Sequence, residues 1–313
     1  MSGIKIGIGF SVGRTGLPGP QTIADFAERA EDLGIDSIWL SDRISSRQPH
    51  LDIACIMAGW AARTQKIKMG PSVLTLPARD PVHVARTYAT LDYLTGSCGR
   101  VIVAVGLGND PKECLACGIP PDERGPRMEE GVHVMRRLWT ETRVSHHGRF
   151  YNFDDVTIEP RPARGALDVW IGGRTDVALK RTARYGDGWL PSFITPDEFK
   201  SGMRKLESYA ASHQRSVDPR EAGVVLLTHV TNDAGRAAQL EQLVAASLPQ
   251  AEGAGARLAI GSVDVCVARI QDYVAAGCTK FVLFPVAPPD ELIAQIEVFG
   301  RKIIPHFEQP RTS

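Results

Sequence analysis

The sequence has no excess of either charge and no apolar run long enough to cross a membrane. Lysine plus arginine and aspartate plus glutamate both number 36 among 313 residues. Such a chain has no global field to attract nucleic acid or an anionic membrane, although a local anion site stays possible. A spanning helix needs about 18 consecutive apolar residues, and no segment reaches that length. Met1 to Phe10 also lacks the pattern of a secretory leader, so we expect a cytoplasmic protein.

Cysteine is scarce for the length, which argues against a small disulfide-stabilised domain. The six cysteines are spread over the whole chain, and we expect free thiols that are mostly buried. Cys114 and Cys117 have C-x-x-C spacing, as in a redox pair or half of a zinc site. No second pair or nearby histidine cluster completes a tetrahedral site, so we expect no metal.

Strand-like and helix-like segments alternate from end to end, which predicts eight βα units around a parallel sheet. An α/β barrel with insertions fills this length as one domain. The predicted strands are Lys5–Phe10, Ser37–Leu40, Lys68–Leu74, Arg100–Val105, Val169–Ile171, Gly188–Leu190, Val224–Val230 and Phe281–Phe284. The predicted helices are Thr22–Leu33, Leu51–Arg63, Pro81–Leu94, Glu123–Thr140, Asp176–Tyr185, Pro196–Ser212, Ala234–Ala246, Val263–Ala276 and Asp290–Lys302.

Two segments interrupt this repeat. Val144–Ile158 carries Gly148 between two β-rich runs, which predicts a hairpin insertion. Pro249–Ala259 is rich in glycine and alanine, which predicts a loop between the last two units. Insertions in barrels often border the active face.

The polar residues that follow the predicted strands are the first candidates for chemistry, because barrel active sites lie at the carboxyl ends of strands. Asp42 and Arg43 follow the second strand, where they form either an acid-base or anion-holding pair or a solvated loop. His50, His83 and His133 fall in or beside helices, where packed or surface histidines are commoner than catalytic ones.

Glycines follow the fourth and fifth strands. Gly172 and Gly173 let the backbone approach a ligand, and the next helix offers free N–H groups to an anion, with Arg174 as a second donor. The alternative is that the glycines only turn the chain and Thr175 caps the helix. Gly106 and Gly108 carry the same ambiguity, because G-x-G here lacks the third glycine and the downstream acid of a dinucleotide site.

Four passages resemble the bacterial luciferase-like monooxygenase family. The main one runs from GPSVLTLPARDPVHVARTYATLDYLTG to GRVIVAVGLG within Lys66–Asp110. AEDLGIDSIWLSDR and YNFDDVTIEPRPARGALDVWIGGRTDVALKRTARYGDGWLPS are similar to other parts of the family's repeat. The closing GSVDVCVARIQDYVAAGCTKFVLFP is similar to its last unit, so the resemblance covers nearly the whole chain.

The resemblance implies one luciferase-like (β/α)8 TIM-barrel domain over residues 1–313 that binds FMN or the deazaflavin coenzyme F420 at its carboxyl face. The compact chain and the V-G-L-G-N-D turn are more similar to the deazaflavin branch. By position, Asp42 would lie beside the ring system, and Ser72 and Val73 would form a bulge behind it with a cis peptide bond. The polar edge would be lined by Gly106, Gly108 and Asn109, and the phosphate would be held by Gly172, Gly173, Arg174 and Thr175.

Two departures from the family pattern bear on the reaction. The family's sugar-phosphate dehydrogenases carry histidine where this chain has Arg43 and glutamate where it has Asn109. Neither replacement is an ordinary general base near neutral pH, so sugar-phosphate oxidation is not expected. A reductase needs less from the protein, because the reduced cofactor supplies the hydride and the site only positions and polarises an acceptor. The candidate catalytic residues are therefore Asp42, Arg43 and Asn109.

Three functions follow as hypotheses. The first is an F420-dependent oxidoreductase that reduces a small organic substrate. The second is an FMN-dependent monooxygenase supplied with reduced flavin by a separate reductase, and the third is a cofactor-binding protein without turnover. The family implies a homodimer through the helices of units two and three, where the apolar run Ile53–Ala62 either faces a partner or packs on the barrel. Specificity would lie in the loops Ser11–Pro20, Ile44–Pro49, Pro111–Pro126 and Pro249–Ala259.

Overall fold

Parallel strands alternate with outer helices in the computed structural model, which describes residues 3–10, 16–246 and 254–307. The strands are β1 (Lys5–Phe10), β2 (Ser37–Leu40), β3 (Lys68–Pro71), β4 (Leu74–Thr75), β5 (Ile102–Gly106), β6 (Val144–His147), β7 (Asn152–Val156), β8 (Asp168–Gly172), β9 (Gly188–Leu190), β10 (Gly223–Val230), β11 (Leu258–Gly261) and β12 (Lys280–Pro285). The helices are α1 (Pro20–Asp32), α2 (Ile53–Arg63), α3 (Pro81–Leu94), α4 (Pro111–Ala116), α5 (Arg124–Thr140), α6 (Asp176–Tyr185), α7 (Pro196–Ser212), α8 (Ala234–Ala246), α9 (Val263–Ala275) and α10 (Leu292–Val298).

The strands close into a (β/α)8 TIM barrel, which confirms the predicted fold class. One sheet runs β11-β10-β12-β1-β2-β3 and the other runs β4-β5-β8-β9, with every pair in them parallel. Isolated bridges from Met69 to Val101 and from Trp189 to Ala222 join the two sheets. The hairpin predicted between 144 and 158 is present as antiparallel β6 and β7.

The structure differs from the predicted elements at the third strand and in the loop after α8. The predicted strand Lys68–Leu74 is split into β3 and β4 by Ser72 and Val73. The predicted loop Pro249–Ala259 runs into β11, which pairs with the end of β10 outside the ring. Residues 249–253 of that loop, and residues 11–15 of the loop Ser11–Pro20, lie outside the described part of the chain.

The helix ends follow their sequence signals. Asp52 caps α2 and Asp80 caps α3, each accepting hydrogen bonds from two backbone N–H groups of the first turn. Ser262 caps α9 in the same way through one hydrogen bond. Because a helix that follows a parallel strand runs back beside it, these capped N-termini lie at the carboxyl face of the barrel, next to the strand ends.

Two apolar layers hold the barrel together. A small inner cluster fills the ring and includes Trp39, Trp170 and Phe284, all at most 5% exposed. A much larger cluster lies between the strands and the outer helices. Lys280, at the start of β12, is buried at the amino face with its Nζ 4.8 Å from the Trp170 ring centre and 3.5 Å from Asp36. Within the described ranges, no helix is long and apolar enough to span a membrane.

Candidate active site at the carboxyl face

A bulge between β3 and β4 projects one apolar side chain onto the ends of the two neighbouring strands. The Ser72–Val73 peptide bond is cis, which confirms the prediction. Val73 lies over the ends of β5 and β8: a methyl group added to Gly106 would come within 2.5 Å of Val73, and one added to Gly172 within 3.0 Å. Only glycine leaves room for Val73 at these two positions. The result is a partly exposed apolar side chain on a backbone floor, which suits the face of a planar ring.

Asp42 is a buried carboxylate whose oxygens are both engaged. Arg79 binds it bidentately, with Nη1 2.8 Å from Oδ2 and Nη2 2.9 Å from Oδ1. The backbone N–H of Thr75 donates a further hydrogen bond of 2.8 Å to Oδ2. The carboxyl side chain is only 2% exposed, against 21% for that of Arg79. Asp42 therefore ties β2 to the bulge and to Arg79, and it has little freedom to carry a proton.

Arg43 is paired with a residue that the sequence did not single out. Its Nε lies 2.9 Å from Oε1 of Glu113, whose side chain is 2% exposed, while the other oxygen of Glu113 accepts the Ile44 N–H at 2.6 Å. Glu113 belongs to α4, so this contact joins the loop after β2 to the loop after β5. The two side chains bind different partners, and their role as an acid-base or anion-holding pair stays a prediction.

The turn after β5 brings the next predicted residues to the same face. Gly108 has φ +77° and a methyl group there would meet the Thr75 side chain at 2.8 Å, so this turn packs closely on the bulge. Arg124 donates to the carbonyls of Leu107 and Gly108 at 3.4 and 3.3 Å. Asn109 is exposed beside this turn. Its amide is available to a ligand, but its role stays a prediction.

The segment Gly172–Thr175 turns the chain from β8 into α6. Gly173 has φ +110°, and Thr175 Oγ1 accepts a hydrogen bond from the Ala178 N–H at 3.3 Å, so the turn-and-cap interpretation holds. Arg174 donates to the Phe193 carbonyl at 2.8 Å, which directs its guanidinium to the next loop. This exposed helix start still has the form of an anion site, and phosphate binding there remains a prediction.

Two histidines at this face have a buried ring nitrogen without a hydrogen-bond partner among the described residues. His50 lies in the loop before α2, half-buried, with Nε2 3.5 Å from Ser41 Oγ and Nδ1 unbonded. His229, near the end of β10, is 3% exposed and its Nδ1 is also unbonded. Burial lowers the pKa of both imidazoles. His50 lies beside Asp42, Arg43 and Glu113 because of the way this loop folds, which no sequence pattern predicts.

The C-x-x-C pair does not resemble a redox or metal centre. Cys114 is buried, burial raises the pKa of its thiol, and Cys117 is exposed at the end of α4. All six cysteines are free. In residues 3–10, 16–246 and 254–307, no three His, Cys, Asp or Glu side chains converge as a metal site requires.

Proteins of known function align with most of this chain. The F420-dependent glucose-6-phosphate dehydrogenase of Nakamurella multipartita is 28% identical over 320 residues, covering 92% of this chain and 93% of that protein. The counterpart from Kineococcus radiotolerans is 34% identical over 178 residues, and there the alignment covers only 52% of that protein. The 5,10-methylenetetrahydromethanopterin reductase of Methanopyrus kandleri is 25% identical and covers 93% of this chain and 96% of that protein.

Solved structures agree on the fold. An F420-dependent secondary alcohol dehydrogenase in complex with an F420-acetone adduct superposes with a TM-score of 0.84 at 22% identity, covering 98% of this chain and 100% of the other. The oxygenating constituent of 3,6-diketocamphane monooxygenase from Pseudomonas putida, in complex with FMN, superposes with a TM-score of 0.82 at 16% identity, covering 98% and 99%. The profile of the family described as luciferase-like monooxygenase matches residues 2–255, and this chain belongs to that family.

Proposed function

We propose that the protein is an oxidoreductase that binds coenzyme F420 at the carboxyl face of the barrel and transfers hydride from it to a small organic substrate. Two relatives that align with more than 90% of this chain support the proposal, because one is named an F420-dependent dehydrogenase and the other a pterin reductase. The single observation that carries the site is Val73, partly exposed and lying over the glycine ends of β5 and β8.

The side chains around Val73 fit a flavin-like ring. When bound, the cofactor would supply hydride from its central ring. Val73 would support the apolar face of that ring, and the turn Gly106–Asn109 would line its polar edge. Gly172–Thr175 would hold the phosphate at the start of α6, where free N–H groups favour an anion. Asp42, fixed by Arg79, would border the ring and keep the bulge in place.

The direction of reduction follows from what the charged groups can do. Arg43 is held by Glu113, and Asn109 is a neutral amide, so neither is suited to remove a proton from an alcohol. Both can donate hydrogen bonds to an acceptor oxygen and polarise it. The Glu113 carboxylate is 2% exposed, with one oxygen accepting the Ile44 N–H and the other 2.9 Å from Arg43 Nε, so it is buried away from a substrate alcohol.

FMN-dependent oxygenation is the second candidate, favoured by the same barrel and the same apolar floor. In that case a separate flavin reductase would deliver the reduced cofactor, whereas an F420-dependent enzyme would depend on an F420-reducing enzyme. A cofactor-binding role without turnover is the third.

The free state of all six thiols fits work in the cytoplasm, which is the location we propose.

The test is anaerobic oxidation of reduced F420 by the purified protein with a panel of small aldehydes, ketones and enones, followed by cofactor absorbance. We expect turnover of at least one acceptor class without oxygen. Turnover that needs oxygen and reduced FMN would replace this proposal with the monooxygenase. Tight F420 binding without oxidation by any acceptor class would favour the cofactor-binding role.

A homodimer through α2 and α3 is part of the proposal. A groove of about 410 Å³ lies between these helices, and its lining includes His83 and Tyr88. The outer face of α2 is flat, since its exposed positions include Cys55, Gly59 and Ala62. Tyr93 and Leu94 at the end of α3 are 65% and 47% exposed. A second copy of the chain would cover these apolar side chains and the groove.

A further inference from the structure

His50 lies at the carboxyl face, and one of its ring nitrogens has no hydrogen-bond partner in the described chain. It precedes Asp52, the cap of α2, and its Nε2 lies 3.5 Å from Ser41 Oγ. Its Nδ1 is buried and has no hydrogen-bond partner within the described chain. A buried ring nitrogen without a partner costs free energy unless a ligand or ordered water satisfies it. A ligand bound at this face would supply that partner.

The charged groups around His50 are all committed to other contacts. Asp42 and Arg43 come from the loop after β2, and Glu113 faces it from α4. Asp42 is bound by Arg79, and Arg43 is bound by Glu113. The side chains of Asp42 and Glu113 are each 2% exposed, so neither carboxylate is open to a substrate, although Glu113 Oε1 has no hydrogen-bond partner in the described chain.

The other histidine at this face is closed off. His229 is 3% exposed, whereas His50 is only half-buried. Asp110 is engaged as the cap of α4 through the Lys112 N–H. Of the two histidines with an unbonded ring nitrogen at this face, His50 is thus the one with access to a ligand.

We propose that His50 is the catalytic residue that transfers a proton to the substrate oxygen, and that the substrates are therefore small carbonyl compounds or enones. This inference rests on the proposed function, because it requires reduced F420 as the hydride source. Arg43 and Asn109 are not suited to proton transfer, so this role is assigned to a loop residue on the same face.

The reaction balances with His50 as the acid. Hydride from the reduced cofactor forms a new C–H bond at the carbonyl carbon, or at the β-carbon of an enone. The C=O π-bond breaks, and its electron pair passes to the oxygen, which takes a proton from the imidazolium. In an enone the C=C electron pair moves to the bond between the α-carbon and the carbonyl carbon, so the first product is the enol, which tautomerises to the ketone by exchanging a proton with solvent. His50 then regains a proton from solvent. The substrate gains two electrons and the cofactor loses them.

The environment of His50 gives the reaction a defined pH dependence. Burial lowers the pKa of His50 below 6.5, and the charge of Arg43 lowers it further. A backbone hydrogen bond with Ser41 and the carboxylates of Asp42 and Glu113 raise the pKa, but they do not outweigh burial. Reduction requires the imidazolium, so its rate should fall as pH rises through this lowered pKa. Alcohol oxidation by the same site would need the neutral imidazole and should show the opposite trend.

The direct test is NMR of ¹⁵N-histidine-labelled protein loaded with oxidised F420, which has no hydride to give, with cyclohex-2-enone as the probe. The variant His50→Gln assigns the His50 resonances, and the exposed His213 serves as internal control. We expect the His50 ring nitrogens to shift on addition of the enone while His213 does not. Unchanged His50 resonances at saturating enone would overturn the proposal.

Steady-state kinetics provide the second test of the role of His50. With reduced F420 and cyclohex-2-enone, His50→Gln should lower kcat about 100-fold with little change in KM, and should remove the pH dependence of kcat. His213→Gln should leave both intact. Equal rates in His50→Gln and wild type would refute the role of His50 alone. Absence of F420 binding to the wild type, seen as unquenched cofactor fluorescence, would instead refute the proposed function.

Discussion

Arg79 is the residue that keeps Asp42 in place at the carboxyl face. Removing one member of a buried ion pair leaves the other charge without compensation, which costs more than the pair itself contributes. Here the carboxylate is almost fully buried while the guanidinium is partly exposed. The pair therefore acts as a fixed support for the bulge.

Replacing Arg79 by methionine should lower the free energy of unfolding by about 3 kcal/mol, because it leaves the Asp42 carboxylate buried and unpaired. Urea denaturation measures this. The double variant Asp42→Asn/Arg79→Met should recover part of the loss. Arg220→Met, which breaks the exposed pair with Asp218, should cost less than about 1 kcal/mol. Similar losses in Arg79→Met and Arg220→Met would contradict this account of Asp42.

Gly106 is the second residue on which the site depends. A methyl group there would lie 2.5 Å from Val73, so Gly106→Ala should displace Val73 and weaken F420 binding by about tenfold or more. Gly3→Ala is the control, since nothing lies within 4 Å of the added methyl group. Fluorescence titration of the two variants compares them. An unchanged Kd in Gly106→Ala would show that Val73 does not support the ring.

Among the elements, the hairpin β6–β7 is joined to α5 by the Glu130 carboxylate and by Arg137, which donates to the Ser145 carbonyl at 2.9 Å. Glu130 accepts the backbone N–H groups of Phe150 and Tyr151 and lies 3.1 Å from His146 Nε2. Burial alone would raise the pKa of Glu130, but these hydrogen bonds outweigh it and the pKa is lowered from 4.5. The ionised form is thus favoured by the folded hairpin.

The hairpin should open as pH falls. A carboxylate with a lowered folded pKa stabilises the fold at pH above its ordinary value of 4.5, and that contribution is lost as pH falls through the folded pKa. Hydrogen exchange at Phe150 and Tyr151 should therefore accelerate, relative to core amides, below about pH 4.5. Glu130→Gln should exchange faster already at pH 7 and lose this pH dependence. Equal protection in both proteins would refute the role of Glu130.

The sequence was most informative about elements and least about side-chain pairing. Strand ends could be located because each βα unit carries its own apolar pattern and helix caps, as with Thr175 and Ser262. The Asp42–Arg79 contact spans 37 residues and Ile44–Glu113 spans 69, so neither leaves a local pattern. The strand Leu258–Gly261 was missed because it is short and follows a run of glycine and alanine.

At the scale of the whole molecule, the two faces of the barrel contain different groups. The amino face contains the buried Lys280 between two tryptophans, whereas the carboxyl face contains the bulge, the glycine turns and His50. The side formed by α2 and α3 adjoins the carboxyl face, because Arg79 and Asp80 also line the groove between these helices. The proposed dimer surface and the proposed cofactor site are therefore adjacent.

Disrupting the α2 face should produce a monomer. Gly59→Arg places a long cation on the flat outer side of α2, where nothing lies within 4 Å of an added methyl group in the free chain. Light scattering should then give the mass of one 34.0 kDa chain, while the wild type gives twice that value. Lys302→Glu, an exposed change near the C-terminus, should remain dimeric. A monomeric wild type would refute the dimer.

The choice of cofactor is the central claim, and direct binding decides it. Purified apoprotein should be titrated with coenzyme F420 and, separately, with FMN, at fixed salt, following the quenching of cofactor fluorescence. We predict that F420 binds in the micromolar range or tighter and that FMN binds more weakly. Tighter binding of FMN would contradict the claim and turn the search toward oxygen-dependent chemistry.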